Sequence, residues 1–106
     1  MQTLKARGQR GSWFARIGDE DIPCAWLQWR TGNHYFDPAV KPTEGKWPKY
    51  IEALKQGLKV ALTDKREDEE GDWHRDGYIG LFEIANVVVS DHGLEFDFVQ
   101  RLAHLK

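Results

Sequence analysis

Residues 77–99 read GYIGLFEIANVVVSDHGLEFDFV, and no other stretch limits the fold as strongly. Two runs rich in β-branched and aromatic residues flank Asp91-His92-Gly93, a tight-turn tripeptide. Leu94, Phe96 and Phe98 alternate with Glu95 and Asp97, the signature of a strand with one buried face. In the preceding run the alternation slips. Ile79 and Leu81 share one phase, Phe82 and Ile84 the other, as a bulge or burial on both faces would produce. A chain built around such a segment is committed to a sheet.

The other segments add strands and one helix. In SWFARI, Trp13, Ala15 and Ile17 lie on one face, and after the turn GDED the run PCAWLQW continues as a second strand. Residues 30–46 hold two prolines and two glycines and read as a long loop, with an extended piece at His34–Phe36. The helix is expected at about 48–56. Trp47, Ile51, Leu54 and Leu58 are spaced for one helical face, Pro48 suits the first turn, and Gly57 suits the exit. LKVALT at 58–63 is a strand. Residues 64–76 lack any period and read as an acidic surface loop. Val99, Leu102 and Leu105 recur at spacing three, which suggests a short C-terminal helix.

The sum is an α+β fold of five to six mostly antiparallel strands with one main helix. A set of this size buries its edges best by closing into a small β-barrel. The 106 residues make a single domain, with residues 1–11 as a flexible basic arm. Apolar residues are 41% and charged residues 30% of the chain, and no apolar run approaches the ~18 residues of a membrane span. The opening MQTLKARGQRG lacks the apolar core of a secretion signal, and Cys24 is the single cysteine, so a cytoplasmic location is expected.

Catalytic motifs fail on context. His74-Arg75-Asp76 matches the kinase triplet, but a kinase needs a glycine-rich loop and a DFG triplet that this chain lacks. An enzyme would rest on His74 and Asp76, which do not complete an acid–base–nucleophile set. The histidines at 34, 74, 92 and 104 form no metal-binding spacing, so neither metal nor cofactor is expected. Cys24 lies in an apolar strand and reads as a core residue. The glycines of GYIG read as a bulge or a close approach by a large side chain.

What remains is aromatic. Five tryptophans in so short a chain exceed what a core needs, and tryptophan is seldom fully buried. Trp13, Trp26, Trp29, His34, Tyr35, Phe36 and Trp47 cluster in the hairpin, the long loop and the helix start. They either fill the core or form a slot that stacks a planar group. Trp29, Tyr35 and Trp47 are the stacking candidates, with Trp73 at the rim. Asn33 and His34 are the candidate edge readers, with Asp37 and Ser12 as further polar groups. Arg7, Arg10 and Arg16 are candidate phosphate contacts in a segment without acids, although the net charge of −2 limits any general affinity for polyanions.

The order KWPKYIEALKQGLKVALT, then a polar loop, then GYIGLFEIANVVV, resembles the PUA-like barrels of the EVE and ASCH branches. The likeness covers residues 47 to 99 and the Trp13 strand. It implies a small barrel that recognises RNA or a modified DNA base in an aromatic pocket. The function expected is therefore a non-enzymatic module for nucleic acid, including a modified or flipped base. The alternative is a protein-interaction or inhibitory protein that uses acidic residues 64–72 against a basic partner.

Overall fold

The computed structural model describes residues 1–8, 13–67, 70 and 73–106; the side chains of 65–67 and 73–76 fall outside that description. The described residues form nine strands and one α-helix, an α+β arrangement. The strands are β1 (Thr3–Leu4), β2 (Ala6–Gly8), β3 (Phe14–Ile17), β4 (Glu20–Trp26), β5 (Arg30–Thr31), β6 (His34–Asp37), β7 (Lys59–Glu67), β8 (Trp73–Ser90) and β9 (Gly93–Leu105). A one-turn 3-10 helix spans Leu27–Trp29, and α1 spans Trp47–Gly57.

The strands make one sheet in the order β2-β3-β4-β7-β8-β9-β6-β5, an open path, with β1 beside β9. Most neighbours are antiparallel, as hairpin connections require. The exceptions are β4 with β7 and β1 with β9. The first is parallel because α1 lies in the connection between β4 and β7 and carries the chain back to the starting end of the sheet. The helix ends with Leu58 in the left-handed region at φ 51°, so the expected exit residue, Gly57, is the last helical one.

The central strands are buried on both faces. Along β7, Val60 and Leu62 join one apolar cluster while Ala61 joins another. The first cluster lies under α1 and includes Tyr50, Leu54, Phe82, Ile84 and Phe96. The second draws Ala6, Ala15, Ile22, Cys24, Ala61, Leu81, Ala103 and Leu105 from six strands. Leu81 belongs to the second cluster and Phe82 to the first, and the β8–β9 register shifts between them. That is the slip visible in the sequence.

The same register shifts overturn the expected C-terminal helix. Glu83 faces Gln100 and Ile84 faces Phe98, leaving Val99 as an extra residue; Phe82 faces Arg101 and Leu81 faces Ala103, leaving Leu102 extra. Both extra residues are exposed, at 52% and 37%. Two bulges in one strand thus counterfeit a helical spacing of three.

Two further expectations are corrected. Residues 3–8 are not an arm but strands that pair with β9 and β3, and Leu4 and Ala6 pack on the second cluster. Of the loop expected at 64–76, residues 64–67 and 73–76 extend the β7–β8 hairpin. Backbone pairing there needs no apolar period, so the hairpin ends are invisible to a hydrophobicity pattern. Gly80 matches its reading: a Cβ there would meet Arg101 Nη1 at 2.6 Å and Phe82 Cε2 at 2.9 Å.

Candidate functional site

An open cavity of about 320 Å³ sits where the end of β4, the 3-10 turn, the end of β6 and the start of α1 converge. Its rings are Trp13, Trp26, Trp29, Trp47 and Tyr50, and Gln28, Asp37 and Ala39 complete the lining. Trp47 and Tyr50 are three residues apart in the first turn of α1, so helical geometry sets them side by side. Trp13 enters just before β3 and lies 4.3 Å from Trp47, centroid to centroid, at an interplanar angle of 31°. Tyr50 meets both edge-on, at 5.6 Å and 6.1 Å. Its hydroxyl donates to the Cys24 carbonyl. Burial pushes this phenol well above its ordinary pKa, so it stays neutral.

Trp13 and Trp47 are too close to admit a ring between them. Trp29, half-buried in the 3-10 turn, lines the same cavity and packs against both clusters. Asp37, only 4% exposed, supplies the carboxylate of the lining. Its Oδ1 accepts the Ala39 N–H at 2.9 Å, which fixes the turn after β6. Trp29 and Trp47 of the expected stacking set are therefore brought together.

Tyr35 is not with them. It is fully buried, stacks on Phe96 at 4.5 Å, and accepts the Trp26 N–H at 3.1 Å. A tyrosine in mid-strand on the inward phase packs in the core, and burial raises its phenol pKa as well. Asn33 and His34 also lie apart from the cavity. The Asn33 carbonyl accepts the Phe98 N–H at 2.7 Å, and His34 Nδ1 bonds Asp97 Oδ1 at 2.8 Å on the exposed face of the β6–β9 pair. Hydrogen bonds from His34 and then Asn86 hold the Asp97 carboxyl below its ordinary pKa. Arg10 and Ser12 are outside the described residues, and the Trp73, His74 and Asp76 side chains are outside it too.

Arg7 and Arg16 do meet. They are direct cross-strand partners on β2 and β3, and with Lys5 they line a cleft of about 360 Å³. Like charges placed opposite one another are unfavourable. Arg16 gains Asp21 at 3.2 Å. Phe14 and Arg16 sit two residues apart on one strand, hence on the same face, and Phe14 meets Tyr50 edge-on at 6.1 Å. The basic cleft thus begins roughly 7 Å along β3 from a ring that touches the cavity lining.

Trp13 and Trp26, which belong to the expected aromatic cluster but not to the expected stacking set, line the cavity, as do Tyr50 and Gln28, which no sequence motif singles out. The spacing of Trp47 and Tyr50 was the available signal. Among the described residues no three His, Cys, Asp or Glu side chains are grouped to hold a metal ion, and no helix is long and apolar enough to cross a membrane. No protein-family profile, no curated protein and no solved structure matches the chain.

Proposed function

We propose that this chain is a non-enzymatic binding module that stacks a nucleobase of RNA or DNA against the tryptophans of the cavity, with the Arg7–Arg16 cleft taking an adjoining phosphate. The observation that carries this reading is the convergence of Trp13, Trp26, Trp29, Trp47 and Tyr50 on one open cavity with a carboxylate in its lining. The volume suits a small ligand, near the lower end of ligand pockets. Flat rings stack any base, and polar groups at the edge discriminate among them. The basic cleft, reached from the cavity through Tyr50 and Phe14, supplies the charge that positions a phosphate without reading it.

A PUA-like barrel is the architecture this reading takes for the domain. In its support, residues 3–8 run from β9 to β3, the Ala6 N–H donates to the Lys106 carbonyl at 3.0 Å, and six strands feed the second apolar cluster.

Quenching of tryptophan fluorescence by short single-stranded oligonucleotides tests the proposal. Trp29→Ala is expected to weaken binding by about 1–3 kcal/mol, one stacked base. Exchanging Arg7 and Arg16 together for alanine is expected to flatten the salt dependence. Unchanged fluorescence across all sequences and both nucleic acids would sink it.

A further inference from the structure

We propose that Arg30 and Arg101 form a further anion site, which holds the phosphate group of a phosphorylated ligand between their two guanidinium groups. The site shares no residue with the tryptophan cavity or with the Arg7–Arg16 cleft, and it stands whether or not the cavity takes a nucleobase.

Strand register puts both arginines on one face of the sheet. Arg30 on β5 faces Tyr35 on β6, and Tyr35 faces Phe96 on β9. Arg101 on β9 faces Phe82 on β8. Cross-strand partners share a face, and Tyr35, Phe82, Phe96 and Phe98 all belong to the first apolar cluster. Arg30 Cζ lies 5.1 Å from the Phe82 centroid and 4.6 Å from that of Phe98, and Arg101 Cζ lies 4.9 Å from Phe82. The shared ring keeps the two guanidinium carbons within about 10 Å of each other. A phosphate that accepts an N–H on either side, at ~2.8 Å each, spans such a gap.

Each guanidinium is anchored along one edge. Arg30 Nε donates to the Gly32 carbonyl at 2.8 Å, and its two Nη groups remain. Arg101 Nη1 donates to the Ile79 carbonyl and to His104 Nδ1, both at 3.0 Å, and its Nε and Nη2 remain. Gly80 makes that posture possible, because a Cβ there would meet Arg101 Nη1 at 2.6 Å. Ring contacts use the planes of the guanidinium groups and leave the N–H edges unspent. Fixed planes with open forks are what oxyanion recognition requires.

Charge argues in the same direction. Both arginines are half-buried, and among the described residues neither forms an ion pair with a carboxylate. Two cations on one ring repel each other, the more so where water is partly excluded. An anion between them replaces that repulsion with attraction. A carboxylate, with two oxygens and one charge, is satisfied by a single fork. A phosphate monoester brings three oxygens and nearly two charges, enough for both. The way in is open along β9. On the side away from β8, β6 pairs with it as far as Asp97 and β1 begins at His104, and no described strand lies between.

The test uses the chain with Arg7 and Arg16 exchanged for alanine, so that the other basic cleft is silent. The Nε–H resonances of Arg30 and Arg101 are followed by NMR at constant ionic strength. Inorganic phosphate is expected to move both to saturation and to bind about tenfold tighter than acetate. Arg30→Lys and Arg101→Lys keep the charge but lose the fork, and each is expected to weaken phosphate about tenfold, read from the arginine that remains. Methyl phosphate and dimethyl phosphate separate the sources. Binding of both supports a nucleic-acid backbone, and binding of the monoester alone supports a free or terminal phosphate. The same resonances in the unsubstituted chain give the reading if a variant does not fold by circular dichroism. Resonances that stay still under phosphate would overturn the proposal, as would a loss confined to one of the two lysine variants. Acetate or tetraglutamate binding as tightly as phosphate would overturn it too, by showing a carboxylate site. None of these failures touches the nucleobase reading, which rests on other residues.

Discussion

Two polar side chains show how little a residue's type says about its task. Tyr35 was a natural stacking candidate, yet its hydroxyl is the acceptor for the Trp26 N–H inside the core. Tyr35→Phe removes that acceptor and is expected to cost about 1–3 kcal/mol, read by urea unfolding, while the affinity for oligonucleotides stays unchanged. Loss of affinity without loss of stability would return Tyr35 to the site. His34, a candidate edge reader, instead orients Asp97 on the exposed face. Because the folded pKa of Asp97 is depressed, its contribution to stability is present above the ordinary aspartate pKa and fades as pH falls through the lower folded value. In His34→Gln the Asp97 pKa is expected to rise toward the ordinary value, and the acid limb of the stability curve to lose this contribution. Carboxyl NMR titration of Asp97 reads this directly.

Among the elements, those with strong local patterns were legible in the sequence and those made by irregular pairing were not. α1 and the alternation of β9 around Phe96 follow from spacing alone, and the observed helix, Trp47–Gly57, contains the expected one. The far half of β9 was misread because Val99 and Leu102 are bulge residues, and a bulge inserts one position into a period of two. β1 and β2 are too short, and the ends of β7 and β8 too polar, to leave any pattern. The helix exit carries a prediction of its own. Leu58 holds a left-handed conformation that costs a leucine roughly 1–2 kcal/mol, while its carbonyl accepts the Ile84 N–H at 2.9 Å. Leu58→Gly keeps that bond and relieves the strain. After the entropy penalty of glycine, a gain of roughly 0.5–1 kcal/mol is expected in the urea midpoint. A loss would mean that the half-exposed Leu58 side chain contributes more packing than its surface suggests.

For the whole molecule, the cavity was legible as a concentration of tryptophans but not as a set of lining residues. Strand phase decides which ring faces inward, and phase depends on register that only the assembled sheet fixes. The same assembly makes residues 3–8 structural: the Ala6, His104 and Lys106 N–H groups bond across the β1–β9 junction at 2.9–3.0 Å. Deleting residues 1–8 removes these three bonds together with the β2–β3 pairing and the buried Ala6 side chain, and is expected to cost at least about 3 kcal/mol in urea unfolding, at about 1 kcal/mol per bond for the three alone. An undiminished midpoint would restore the description of this segment as an arm. The pairing of Thr3 with His104 also has a kinetic side. Strands so distant along the chain meet only after nearly the whole of it has been gathered, and the entropy of closing that loop is spent before any bond rewards it. High contact order of this kind slows folding. The β8–β9 hairpin, joined by a two-residue turn at Asp91-His92, has the most local pairing and is expected to form early, with the β1–β9 seam expected last. Substitutions in the seam are therefore expected to speed unfolding and leave the folding rate nearly untouched, which the two arms of a urea chevron read separately.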